Sequence, residues 1–203
     1  MKLVRYGAAG SEKPGLIDAS GQLRDLSGQI GDLAGDAFSP AGLAKLAALD
    51  AAKLPAVSGS PRLGSPVGGS PKFIAIGLNF ADHAAESNLP IPTEPIVFMK
   101  ANNALCGPND DVEKPRGSTK LDWEVELAVV IGTRAKYVSE ADALKYVAGY
   151  AVCNDVSERN FQIERGGNWT KGKSHDTFGP LGPWLVTADE VGDVQKLDMW
   201  LDV

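Results

Sequence analysis

Two acidic residues lie inside a segment that otherwise has the composition of an apolar strand, and this restricts how the chain can fold. The segment is Leu121–Gly132, of sequence LDWEVELAVVIG. Because strand side chains alternate between faces, Glu124 and Glu126 share one face, about 6.6 Å apart along the backbone. Buried carboxylates need protonation, a basic partner or a metal ion to neutralise them. A polar face on a half-exposed strand is the competing interpretation of these two glutamates alone.

A second apolar run, Tyr146–Asp155, predicts another buried strand that ends in an acid. Asp155 would complete a set of three carboxylates, and such hard oxygen ligands favour Mg²⁺, Mn²⁺ or Ca²⁺. Beyond it, Arg159 and Gln162 stand three residues apart and supply a cation and an amide. Together they are suited to hold a substrate carboxylate or carbonyl.

A histidine and a glutamate follow the predicted strand Lys72–Gly77. They lie in an Ala-rich segment that favours a helix, where His83 and Glu86 would share one face. The Glu86 carboxylate would then orient the imidazole of His83 and raise its basicity, which suits activation of a water molecule. A solvated surface pair is the commoner meaning of this spacing, so its context must support catalysis.

The first third of the chain predicts a small separate unit. Short strand-like pieces are followed by a helix with Ser39 as its cap and Pro40 at its first position. Next comes Ser58–Pro71, whose Gly, Ser and Pro content suits an extended connector. We therefore predict a small N-terminal domain over residues 1–66, connector included, and a larger domain over residues 67–203.

Composition excludes several classes of protein. The 203 residues carry a net charge of −6, and no run of Lys or Arg marks a nucleic-acid binder. The N-terminus predicts neither a signal peptide nor a membrane span, so we expect a cytoplasmic protein. The cysteines, Cys106 and Cys153, have no second thiol nearby in sequence and are expected to be buried and reduced.

Taken in order, these segments resemble the catalytic domain of the fumarylacetoacetate hydrolase family. The resemblance covers residues 71–203 strongly and the N-terminal part more loosely. It implies an α+β, mainly β fold: a mixed β-sandwich roll preceded by a small α/β N-terminal domain, assembled as a homodimer. It rests on five motifs in register: Gly77–Phe80 with His83–Glu86, Pro95–Lys100, Glu124–Glu126, Asn154–Arg159 and Lys173–Phe178.

The resemblance also implies a chemistry. Glu124, Glu126 and Asp155 would bind Mg²⁺ or Mn²⁺ together with two oxygens of a 2-keto or 2,4-diketo acid. His83, oriented by Glu86, would activate water, and Lys173 would offset the negative charge that develops during carbon–carbon cleavage. Arg159 and Gln162 would orient this small keto-acid substrate.

Several reactions stay open within that resemblance. The family scaffold also resembles decarboxylases, enol–keto isomerases and ureidoglycolate lyase-like proteins. The substrate stays open because five residues depart from the family's common pattern: Leu78, Phe80, Ala101, Asn103 and His175.

Two hypotheses fall outside catalysis. Family members continue past residue 203, and the last residues, 199–203, have the pattern of an unpaired strand. We therefore expect a chain truncated at its C-terminus, for which a non-catalytic metal-binding or assembly module is the alternative function. A sugar-binding or purely structural role is a third hypothesis.

Overall fold

A mixed sheet of eight strands organises the molecule, whose computed structural model describes residues 1–203. The strands of the whole chain are β1 (Lys2–Tyr6), β2 (Lys13–Ile17), β3 (Leu23–Asp25), β4 (Leu63–Gly64), β5 (Phe73–Gly77), β6 (Ile96–Lys100), β7 (Leu105–Cys106), β8 (Leu121–Asp122), β9 (Val125–Ile131), β10 (Val147–Asn154), β11 (Ser157–Glu158) and β12 (Gly179–Thr187).

The helices are short and lie between the strands. They are α1 (Pro40–Ala47), α2 (Ala81–Glu86), α3 (Glu140–Ala143), α4 (Trp169–Lys173) and α5 (Ala188–Val191). Single 3-10 turns cover Gly35–Phe38, Ala51–Lys53, Asn102–Ala104, Leu144–Tyr146 and Val194–Lys196, and a π-helical turn covers Asn160–Glu164. None of these helices has the length and hydropathy needed to cross a membrane.

The predicted start of α1 is confirmed. The Ser39 hydroxyl accepts a hydrogen bond from the Gly42 N–H at 3.1 Å, and Pro40 occupies the first helical position. The missing N–H of Pro40 costs no hydrogen bond at this position, because the first N–H groups of a helix have no partner within it. The α+β, mainly β class predicted from the sequence is also confirmed.

The N-terminal strands and the later strands form one sheet. Its order is β3-β2-β1-β12-β10-β9, with β4 added to β1 and β7 added in parallel to β12. β1 pairs with β12 through Lys2 opposite Val186 and Leu3 opposite Leu185. Two further pairs, β5 with β6 and β8 with β11, stand outside this sheet.

The largest apolar core likewise joins both parts of the chain. Leu3, Leu26 and Leu33, all fully buried, pack in the same cluster as Leu185 and Ala148. Residues 1–66 therefore do not pack as an isolated unit in this structure, and the boundary at residue 66 stays a prediction. The predicted extended connector contains one short strand, β4, which pairs with β1.

Two strand predictions need correction. Leu121–Gly132 is divided into β8 and β9, because β8 turns away to pair with β11 while β9 pairs with β10. Glu124 stands in the break between them, immediately before β9. Residues 199–203 form no strand, since no neighbouring strand of the structure offers them a backbone partner.

Arg62 ties the connector to both parts of the chain. It donates from Nε and Nη2 to the two oxygens of Asp110, at 2.6 Å each, and from Nη1 to Glu12 at 2.9 Å. We expect Arg62→Ala to lower the free energy of unfolding by about 1–3 kcal/mol, because charged hydrogen bonds are lost and Asp110 loses its cationic partner. Urea denaturation measures the change. Arg134→Ala, at an exposed position without an ion pair, is the matched control; equal losses in both variants would refute the prediction.

Candidate active site

Strands β9 and β10 bring the three predicted carboxylates to one end of the sheet. Cys153 lies opposite Glu126 in the antiparallel register. The Asp155 N–H donates to the Glu124 carbonyl at 2.9 Å, and the Asn154 side chain accepts from the Glu124 N–H at 3.1 Å. Glu124 and Asp155 are thus held at the ends of two paired strands.

Lys173 connects two of these carboxylates. It is the last residue of α4, is 2% exposed, and donates from Nζ to Glu124 Oε2 at 2.7 Å and to Asp155 Oδ2 at 2.8 Å. The Phe98 ring lies 5.4 Å from the same Nζ, so an apolar wall shields the ion pairs from water. The structure therefore places the predicted lysine among the predicted acids.

The sequence analysis missed a second buried lysine in the cluster. Lys100, at the end of β6, is 1% exposed and donates from Nζ to Asp155 Oδ1 at 2.6 Å and to the Val156 carbonyl at 3.2 Å. Strand periodicity could have found it, because Ile96 and Phe98 face inward and the alternation carries Lys100 to the same side.

Burial and the ion pairs shift the pKa values of Lys100 and Asp155. Burial lowers the pKa of the Lys100 ammonium group, although Asp155 opposes this. Burial would raise the pKa of the Asp155 carboxyl, but Lys173 and Lys100 outweigh burial and hold that pKa below its usual range. Asp155 is therefore ionised at neutral pH.

Glu126 is the one carboxylate of the three without a cationic partner. Its side chain makes no hydrogen bond or ion pair. Burial, followed by the negative charges of Glu124 and Asp155, raises the pKa of Glu126 to about 7. A partly buried acid next to two others is a position where a further cation would be stabilised.

The carboxylates fit a divalent ion by chemistry but not by their present placement. Mg²⁺ and Mn²⁺ prefer oxygen ligands, and Glu126 lacks a counter-ion. No group of three or more His, Cys, Asp or Glu side chains converges as metal ligands do. Lys173 instead joins Glu124 and Asp155 directly. The predicted metal ligands are thus brought near one another without forming a finished coordination site.

Arg159 and Gln162 are linked to each other and to the carboxylates. Arg159 donates to Asp122 at 2.8 Å, to Gln162 Oε1 at 3.0 Å and to Glu124. Most of its donors are therefore used within the protein. Gln162 is 2% exposed, and its amide nitrogen has no protein acceptor. Of the two predicted substrate contacts, Gln162 keeps the freer donor, and both assignments stay predictions.

The predicted contact between His83 and Glu86 is wrong in this structure. Both residues lie on α2, yet no hydrogen bond or ion pair joins their side chains. Glu86 is exposed at the last position of a six-residue helix, where solvation of the carboxylate competes with an ion pair worth little at a surface. The imidazole of His83 is half-buried and has no protein partner.

A contact between Gly77 and Trp169 joins the end of β5, just before the helix that carries His83, to α4. A Cβ at Gly77 would lie 2.4 Å from Trp169 Cζ3, so the indole packs directly on this glycine. Trp169 also meets the Phe98 ring edge-on, with centroids 5.4 Å apart. The segment that carries His83 and the helix that carries Lys173 therefore share a packing surface.

The sequence analysis gave no role to Glu158, which is fully buried without a cation. Its carboxylate accepts from the Ser118 hydroxyl, from the Lys120 N–H at 3.1 Å and from the Asn160 N–H at 3.2 Å. These bonds connect the segment before β8 to the residues of β11 and the backbone that follows it. Nearby, His175 lies between two phenylalanine rings, and burial lowers the pKa of its imidazole.

Comparison with known proteins matches the part of the chain that carries the candidate site to a known family. The family profile described as fumarylacetoacetate (FAA) hydrolase C-terminal matches residues 72–203. A relative from Burkholderia ambifaria, named "Putative hydrolase", is 64% identical over all 203 residues, which span 72% of its length.

Two solved structures have the same fold. The fumarylacetoacetate hydrolase from Exiguobacterium antarcticum is 30% identical, with a TM-score of 0.75 over 93% of this chain and 67% of that one. The 5-carboxymethyl-2-hydroxymuconate delta-isomerase from Mycobacterium smegmatis is 31% identical, with a TM-score of 0.66 over 93% of this chain and 66% of that one. The predicted family fold is confirmed.

The raised pKa of Glu126 predicts a pH dependence of stability in metal-free protein. The folded pKa, about 7, exceeds the ordinary value of 4.5. The contribution of Glu126 to stability is therefore complete below pH 4.5 and is lost as pH rises through 7. Between pH 4.5 and 8 we expect wild type to lose on the order of 2 kcal/mol relative to Glu126→Gln, allowing for partial solvent screening. Urea denaturation in EDTA measures both proteins; parallel pH curves would show that Glu126 titrates normally.

Proposed function

Because the chain belongs to the fumarylacetoacetate hydrolase family, we propose that it acts as a metal-dependent hydrolase that cleaves a carbon–carbon bond in a 2,4-diketo acid or acylpyruvate-like substrate. The observation that carries this proposal is the cluster of Glu124, Glu126 and Asp155 around the buried ammonium of Lys173. Surface ion pairs do not require such burial, and an uncompensated acid beside two others favours a cation site.

Glu124, Glu126 and Asp155 would hold Mg²⁺ or Mn²⁺. When bound there, such an ion supplies Lewis-acid polarisation of a keto-acid oxygen. Glu126 gains most from it, because the other two carboxylates already have lysine or arginine partners. The ionised state of Asp155 keeps a second ligand ready at neutral pH.

The remaining residues would act on the substrate. His83 has no protein partner, so its imidazole is available to take a proton from the attacking water. The Lys173 ammonium group, shielded by Phe98, would stabilise negative charge that develops on the leaving fragment. Gln162 would donate its free amide to a substrate oxygen while Arg159 holds Gln162 and Glu124 in place. Glu86 would orient His83 only after a change of side-chain conformation, because both residues lie on α2 and no contact joins them in this structure.

Isomerisation is the second candidate reaction. The similarity to the solved delta-isomerase favours it, since an isomerase of this fold also needs a stabilised enolate but no hydrolytic water. Decarboxylase and ureidoglycolate lyase-like activities use related polarised carbonyls. A non-catalytic metal-binding module is the alternative of another class; it would bind the ion and turn over no keto acid. A homodimer is proposed on family membership alone.

Metal binding is tested by calorimetric titration of Mg²⁺ and Mn²⁺. Wild type is expected to bind, and oxalate, which mimics the 2-keto acid head, should tighten the binding by chelation. Glu124→Gln/Glu126→Gln should lose the binding because two oxygen charges are removed. The exposed pair Glu113→Gln/Glu140→Gln is the control and should behave like wild type. Absence of binding in folded wild type would end the proposal.

The role of His83 is tested by turnover of a panel of acylpyruvates. Loss of a general base costs roughly 10²–10⁴-fold in rate, so His83→Ala should lose that much kcat while it still binds Mn²⁺. Ser87→Ala, at an exposed position next to the same helix, should keep full activity. A His83→Ala variant with unchanged kcat would assign water activation to another group.

A further inference from the structure

Lys100 is a fully buried lysine next to the candidate site. Its side chain is 0% exposed, and its ammonium group bonds only to Asp155 Oδ1 and the Val156 carbonyl. The Phe73 ring lies 6.0 Å from Nζ. Asp155 is the only side chain that accepts a hydrogen bond from the Lys100 ammonium group, so an effect of Lys100 on the site would pass through Asp155.

The two oxygens of Asp155 are divided between two lysines. Oδ1 accepts from Lys100 at 2.6 Å, whereas Oδ2 accepts from Lys173 at 2.8 Å. The bond to Lys100 therefore sets the rotation of the carboxylate plane and leaves Oδ2 directed toward the side where Lys173 and Glu124 lie. With no bond at Oδ1, only the Lys173 bond to Oδ2 would restrain rotation of the carboxylate about its terminal torsion.

Strand β6 and helix α4 are tied together around this arrangement. The Thr170 hydroxyl donates to the Met99 carbonyl at 2.9 Å, and the Ala101 N–H donates to the Ser174 hydroxyl at 2.9 Å. One tie lies before Lys100 in β6 and the other follows it. The two lysines are thereby fixed relative to each other as well as to Asp155.

From these contacts we infer that Lys100 is a positioning residue that orients Asp155 as a ligand of the candidate metal centre, an inference that rests on the proposed function. Hydrogen-bond partners of ligating carboxylates typically contribute 10–100-fold to metal affinity. Lys100 also brings positive charge near the ion, so its removal alone would strengthen binding by electrostatics. The sign of the measured change therefore separates orientation from simple charge.

The test is calorimetric titration of Mn²⁺ into the full chain and into Lys100→Met and Lys100→Gln, with thermal unfolding of each sample. Methionine keeps the length without a donor, and glutamine restores an N–H donor without the charge. We expect roughly 10–100-fold weaker binding in Lys100→Met and partial recovery in Lys100→Gln. The control Lys171→Met, which removes an exposed lysine from α4, the helix that carries Lys173, should stay within about threefold of wild type.

Each other outcome counts against the inference. Equal or tighter Mn²⁺ binding by folded Lys100→Met would show that Lys100 acts by charge or packing alone. If Lys100→Met fails to fold, Lys100→Gln decides, and failure of both would assign Lys100 to the fold. Absence of Mn²⁺ binding in wild type would refute the proposed function and this inference together, whereas wild-type binding with unchanged variants would refute this inference alone.

Discussion

Neutralisation of three neighbouring carboxylates is the constraint on which the site depends. Lys173 and Lys100 both bind Asp155, and Lys173 also binds Glu124. In a region shielded from water these ion pairs persist only with good geometry, because desolvation of each charge opposes them. Lys173 of α4 and Lys100 of β6 bind the same carboxylate, Asp155, so the helix and the strand must lie close together. Two hydrogen bonds between these segments are consistent with this.

The same site depends on the N-terminal strands, although none of its residues lies there. Asp155 follows β10, β10 pairs with β12, and β12 pairs with β1. Residues 1–66 thus support the central strands from one side, while Arg62 anchors the connector to Asp110. Both parts of the chain contribute strands to one sheet, and the division into two domains stays a prediction.

Strand periodicity and buried charge drew attention to Glu124, Glu126 and Asp155, and the structure joins Glu124 to Asp155 through Lys173. Their role as metal ligands stays a prediction. The same periodicity places Lys100 on the inner side of β6. Because a lysine at a strand end is ordinarily solvated, that position alone did not indicate that Lys100 is buried. The break between β8 and β9 depends on pairing with β11, about 35 residues later. The absence of a His83–Glu86 contact reflects solvation of a short helix, which spacing alone does not report.

The charges of the cluster also determine how its acids would respond to a divalent ion. Lys173 and Lys100 keep Asp155 ionised before any ion arrives, whereas the raised pKa of Glu126, about 7, leaves that carboxyl substantially protonated near neutral pH. A ligating carboxylate must be deprotonated, so binding would release a proton from Glu126 and grow stronger as pH rises through 7. The lysines thus keep Asp155 ionised at neutral pH, whereas a bound ion would favour ionisation of Glu126.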